Sequence, residues 1–131
     1  MRTSLDYDNA YNGQPFPICE IEISGFLSNK SALVQGLIDT GSDASSFPIR
    51  MLRDLGAEEA GWSSIVSITG ISERAQTFFV KVKIKDFTIQ GLEVIGHKHN
   101  DEIIIGRDIL NQLIVELNGL AQITTISDRP Y

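Results

Sequence analysis

Cysteine is nearly missing from the 131 residues: Cys19 stands alone, so no intrachain disulfide is possible and a reducing compartment is the easier fit. Basic residues are also scarce. Eleven Lys and Arg face seventeen Asp and Glu, for a formal charge of −6. Phosphate recognition rests on clustered Lys and Arg, so neither nucleic acid nor an anionic membrane surface is expected as a partner. No run approaches the roughly 20 apolar residues that span a bilayer. The polar opening MRTSLDYDNAYNGQPF lacks the apolar stretch of a secretory signal, and a cytoplasmic protein is expected. Repeats, low-complexity tracts and composition shifts are absent, and the length suits one compact domain. Residues 1–14 read as a flexible leader and residues 15–131 as the single domain.

What is present is a succession of strands. ICEIEIS (18–24) alternates apolar and polar residues as a half-buried strand does, and ALVQGLID (32–39) reads as a more deeply buried one. Pro48 opens a short helix, IRMLRDLG, that stops at Gly56. SSIVSIT (63–69) and AQTFFVKVKI (75–84) flank residues 70–74 and predict a hairpin with a projecting tip. KDFTIQGLEVIG (85–96) continues the β pattern, IIIG (103–106) is a short buried strand, and RDILNQL predicts a second helix. Asn118-Gly119 between alternating runs predicts a C-terminal hairpin. The expected class is mostly β with two short helices.

The chemistry concentrates in LIDTGSDASSFP, residues 37–48. An apolar strand stops on Asp39, and a carboxylate in that place must be held by donors or poised for proton transfer, since burying it alone is costly. Gly41 brings its N–H near without a side chain in the way, and Thr40 and Ser42 add hydroxyls suited to orienting the carboxylate. One carboxylate makes a poor hydrolase. Attack of water on an amide needs one group to take a proton and another to polarise the carbonyl. Two carboxylates at roughly 3 Å supply both, because repulsion keeps one protonated. The chain holds one Asp-Thr-Gly, so the second carboxylate must come from another copy across a twofold axis.

LIDTGSDASSFP resembles the active-site segment of the retropepsin-like aspartic proteases, nearer the cellular and bacterial members than the retroviral ones. IIIGRDIL is similar to the second signature of that family, and TGISERAQTFFVKVKI lies where the family carries its flap. The resemblance covers roughly residues 16–126. It implies an acid-protease half-barrel with a flap hairpin and a C-terminal hairpin, acting as a homodimeric endopeptidase on extended peptides. It also implies roles: Asp39 as the catalytic aspartate, Thr40 bonding across the dimer axis, Gly41 and Ser42 supporting the loop, and Gly106 closing the second signature. Asp43 and Arg107 take the positions of an ion pair behind the active site, and Gly70 and Ile71 fall at the flap tip. No cofactor is implied. Strands from the C-terminal hairpin, residues 121–126, are expected at the interface.

Other readings stand beside these. Asp-Thr-Gly is also a common turn sequence, and a catalytically silent dimerisation or peptide-binding module would keep the same fold. His97 and His99, with Asp101 and Glu102, lack the spacing of a recognised zinc site, and an exposed polar loop explains them better, so no metal is expected. Cys19 reads as a small packed side chain.

Overall fold

A computed structural model describes residues 1–10, 13–66 and 69–130. The strands are β1 (Arg2–Asp6), β2 (Ile18–Gly25), β3 (Ser31–Ile38), β4 (Ser46–Pro48), β5 (Glu58–Val66), β6 (Ser72–Ile84), β7 (Phe87–His97), β8 (Ile104–Ile105), β9 (Ile114–Asn118) and β10 (Ile123–Ser127). Two short helices, α1 (Ile49–Asp54) and α2 (Arg107–Leu110), follow β4 and β8. Seven strands form one sheet in the order β2-β3-β8-β4-β7-β6-β5, and a further β2–β6 pairing closes it into a barrel. Strand β5 remains outside that closure, as the outer arm of a hairpin with β6.

Alternation explains the barrel. In β2, Ile21 and Ile23 point inward with no exposure while Glu20 and Glu22 face water. Phe47, Leu52, Phe78, Val80, Val82, Val94, Ile105 and Ile109 complete a dry interior. Strand β3 behaves differently along its length. Its first half alternates, but Gly36, Leu37 and Ile38 are all buried, because β8 joins in parallel there, Leu37 opposite Ile104 and Ile38 opposite Ile105. The chain therefore dives through the core immediately before it reaches Asp39.

Residues 1–14 differ from the flexible leader expected. Strand β1 pairs antiparallel with β10, Arg2 opposite Ser127 through Asp6 opposite Ile123, and a three-stranded sheet β1-β10-β9 results. The Met1 ammonium donates to Asp128 Oδ1 at 2.8 Å and draws that carboxyl below its ordinary range. Phe16 and Asp8 exchange backbone bonds, so the segment is tied at both ends. Tyr11 and Asn12 lie outside the described residues, as do Ser67, Ile68 and Tyr131.

Three boundaries also differ. Lys85 and Asp86 form a two-residue turn between Ile84 and Phe87, with Lys85 at φ 53°, where continuous strand was expected. Asn118 is the last paired residue of β9 instead of a turn centre: it faces Ile123, and its Oδ1 accepts the Ala121 N–H at 3.0 Å. That register sets Val115 against the buried Ile126, and packing outweighs the local preference for a tight Asn-Gly turn. The second helix closes after one turn, with Gln112 and Leu113 bonding three residues back. Among the described residues no helix is long and apolar enough to cross a membrane.

Candidate active site

Asp39 emerges at the end of β3 with its backbone N–H donated to the Ile105 carbonyl at 3.0 Å, so β8 fixes where the residue leaves the barrel. The Gly41 N–H donates to Asp39 Oδ1 at 2.9 Å, and the Ser42 N–H to the Asp39 carbonyl at 3.2 Å. The carboxylate is thus oriented by its own loop. Ser42 supports that loop by another bond than expected: its hydroxyl donates to the Ala44 carbonyl at 2.8 Å and not to the carboxylate. Thr40 is exposed.

The second signature braces this loop from behind. The Arg107 N–H donates to the Ser42 carbonyl at 2.9 Å, and its Nη1 to the Thr40 carbonyl at 2.7 Å. Arg107 Nη2 also contacts Asp43 Oδ1 as an ion pair. The expected partners therefore meet, but the Asp43 side chain is 90% exposed, and an exposed pair is worth about 0–1 kcal/mol rather than the cost of a buried one. Gly106 is required by approach. A Cβ there would lie 2.8 Å from the Ala44 carbonyl carbon and oxygen and 2.9 Å from the Ser42 oxygen.

Two residues of this brace were not singled out in the sequence, Ser45 and Asp108. The Asp108 carboxylate accepts the Ser45 N–H at 2.9 Å through Oδ2 and the Ser45 hydroxyl at 2.6 Å through Oδ1. Oδ1 also accepts the Ile109 N–H at 2.9 Å, and the buried Gly106 N–H donates to Ser45 Oγ at 2.9 Å. One carboxylate so ties the strand end after Asp39 to the start of α2. In the sequence Asp108 reads only as an acidic residue suited to a first helical turn, and a partner 63 positions away leaves no local signal.

Gly70 and Ile71 lie in the connection between β5 and β6, Gly70 at φ +81° and Ile71 exposed. Beneath the hairpin runs a cavity of about 640 Å³. Ile65 and Ile71 line it from the hairpin, and Ser42, Ala44, Ile95 and Ile104 from the opposite side. Asp39 is not among its lining residues; Ser42 and Ala44 mark where the cavity meets the loop. Nearby, His97 Nε2 donates to the Glu102 carbonyl at 2.7 Å, its ring stacks on His99 at 6.2 Å, and His99 Nε2 lies 3.5 Å from Glu73. Among the described residues no group of three or more His, Cys, Asp or Glu is placed to share a metal ion. Cys19 is buried under the β1–β10 side of the barrel, and burial pushes its thiol up to about 12.

A closed barrel with one Asp-Thr-Gly loop braced by a Gly-Arg-Asp turn, beneath a long hairpin, is the fold class of the single-domain aspartic proteases. A family profile described as retroviral aspartyl protease matches residues 13–118, and the chain belongs to that family. No curated protein sequence matches it significantly. Among solved structures it is similar to EIAV protease complexed with the inhibitor HBY-793, with a TM-score of 0.61 and 22% identity, covering 78% of this chain and 91% of that one. It is also similar to a retropepsin-like aspartic protease from Rickettsia conorii, with a TM-score of 0.62 and 11% identity, covering 96% of this chain and 91% of that one. At such identities the likeness speaks for the fold alone.

Proposed function

We propose that the chain is an aspartic endopeptidase that works as a homodimer, activating water between Asp39 of one protomer and Asp39 of its partner. The observation that supports this reading is the setting of Asp39: an oriented carboxylate, one per chain, at the end of a buried strand and beside a cavity roofed by a hairpin. One ionised carboxylate takes the proton of the attacking water. The other, kept protonated by repulsion, polarises the scissile carbonyl, and a proton then passes to the leaving nitrogen. Thr40 bonds across the axis and aligns the two loops. Gly70 and Ile71 close over the substrate and exclude water. The substrate is an extended peptide added as a strand between hairpin and floor, its side chains filling alternate pockets. Every group the reaction needs is then a carboxylic acid, and the reading calls for no cofactor.

The test is hydrolysis of an unfolded protein by wild type and by Asp39→Asn, across pH and across protomer concentration. Wild type should cut, the variant should lose about 10²–10⁴-fold while melting like wild type, and specific activity should fall on dilution as half-sites separate. Equal cleavage by both proteins marks a contaminant, and cleavage by neither leaves a silent binding module as the better account. Full activity where sedimentation shows only monomer overturns the shared dyad.

A further inference from the structure

We propose that Arg53 and Arg74 form a carboxylate subsite in the cavity, so that the preferred substrate carries an acidic side chain there. The proposal rests on the peptidase reading above and adds to it the class of peptide.

The chain is acidic overall, yet this cavity is not. Arg53, Arg74 and Lys98 line it against Glu73 and Glu102, and Glu73 already faces His99 at 3.5 Å. Among the described residues neither arginine has a carboxylate within ion-pair distance. Arg53 Nη2 reaches only the Gln76 Oε1, at 3.4 Å. Arg74 lies over the Trp62 ring at 5.2 Å. Stacking occupies the face of a guanidinium and leaves its edge donors open, the geometry that accepts a carboxylate through two parallel bonds. In an acidic protein, two guanidinia lining one cavity with no acid of their own are arranged for an acid brought from outside.

Their placement brings the two guanidinia together. Arg74 and Gln76 are two apart on β6 and share a face, Trp62 pairs with Gln76, and Arg53 reaches the same Gln76 from α1. Both guanidinia therefore gather at the Trp62–Gln76 pair, four positions back along β5 from Val66, where β5 ends. Ile95 stands beside this pair, opposite Thr77, and Ile65, Ile71 and Ile104 complete the apolar lining. Exposed Trp62 offers a flat shelf for the methylenes of an acidic side chain.

The experiment maps cleavage sites in an unfolded protein digest by mass spectrometry, then measures kcat/KM for blocked peptides differing only by Glu or Gln at the enriched position. A third peptide carries Gln and a free C-terminal carboxylate. Wild type should favour Glu over Gln about fivefold, and Arg53→Gln/Arg74→Gln should abolish the ratio while cutting the Gln peptide within about twofold of wild type. A ratio near one in wild type, or an unchanged ratio in the double variant, overturns the subsite. A gain confined to the free C-terminus also overturns it, since the guanidinia then read chain ends. If wild type cuts none of the peptides, the peptidase reading fails separately, and the Arg53 and Arg74 side-chain N–H resonances decide the subsite. Shifts with the Glu peptide and none with the Gln peptide sustain it; no shift with either rejects it.

Discussion

Replacing Asp108 by alanine removes the acceptor for three N–H or O–H donors at once: the Ser45 N–H, the Ser45 hydroxyl and the Ile109 N–H. Ser45 has no exposure, so water cannot take over both of its bonds without the loop opening. Bonds to a charged acceptor contribute roughly 1.5–3 kcal/mol each, and a buried donor left alone costs about 1–3 kcal/mol. The Ile109 N–H sits in a first helical turn and regains part of its bond from water. A total loss of about 3–6 kcal/mol follows, a large share of the roughly 5–15 kcal/mol that holds a domain folded. Ser45→Ala strips the hydroxyl but keeps the Ser45 N–H on Asp108, and it strands the buried Gly106 N–H, for about 2 kcal/mol. Both variants lose the same Ser45 Oγ to Asp108 bond. The double variant should therefore fall short of the sum by about 1 kcal/mol or more. Urea unfolding followed by far-ultraviolet circular dichroism, at one fixed protomer concentration, measures the cycle. Asp108→Ala within about 1 kcal/mol of wild type, or a strictly additive cycle, would refute the claim that this carboxylate ties the two signatures together.

Three further outcomes are expected. Gly106→Ala forces a methyl against the Ala44 and Ser42 backbone and should cost about 1–3 kcal/mol, visible as a lowered melting temperature; a wild-type melt would mean the loop is not packed on α2. Arg107→Ala should cost under about 1.5 kcal/mol in urea, because its ion pair is exposed, and a loss above about 3 kcal/mol would show the pair buried in the working assembly. Cys19 should resist thiol reagents at pH 8 in the native state. Its thiol is raised from an ordinary 9.0 to about 12, so the stabilisation from keeping it neutral is complete below pH 9 and lost as pH climbs toward 12. Wild type should thus lose stability faster than Cys19→Ala across that window, by up to about 1.4 kcal/mol per pH unit, and parallel pH profiles would contradict the burial.

Legibility followed distance along the chain. Strand β2 and the barrel end of β3 announce themselves, since alternation and apolar runs are local, and Asp39 is conspicuous as the acid that ends one of them. Strand β1 does not. RTSLD is mostly polar, and its reason to be a strand is β10, with Arg2 opposite Ser127. The Lys85-Asp86 turn was hidden for another cause: lysine does not favour the left-handed conformation that Lys85 adopts, and the Ile84–Phe87 pairing imposes it. Asn118-Gly119 misleads in the opposite sense, because a strong local turn signal yields to the register that buries Ile126. At the site, Asp39 and Gly41 were readable from three adjacent letters, whereas Ser45 and Asp108 meet only once the barrel closes, and Arg74 meets Trp62 and Arg53 meets Gln76 only once the β5–β6 hairpin is paired and α1 packed beside it.

Within its own chain the Asp39 loop is held by β8, by Arg107 and through Ser45 by Asp108. If those bonds orient the carboxylate within each protomer, the loop is ordered in folding rather than in association. On the proposed mechanism this separates two kinds of damage. Loosening the brace at Asp108 or Gly106 should cost stability and activity together, at every protomer concentration. Weakening only the contacts between copies should leave the folded half-site intact, and a higher protomer concentration should restore its activity. Activity lost by Asp108→Ala that returned fully on concentration would place Asp108 in the association step, and the intrachain brace described here would not be what orients Asp39.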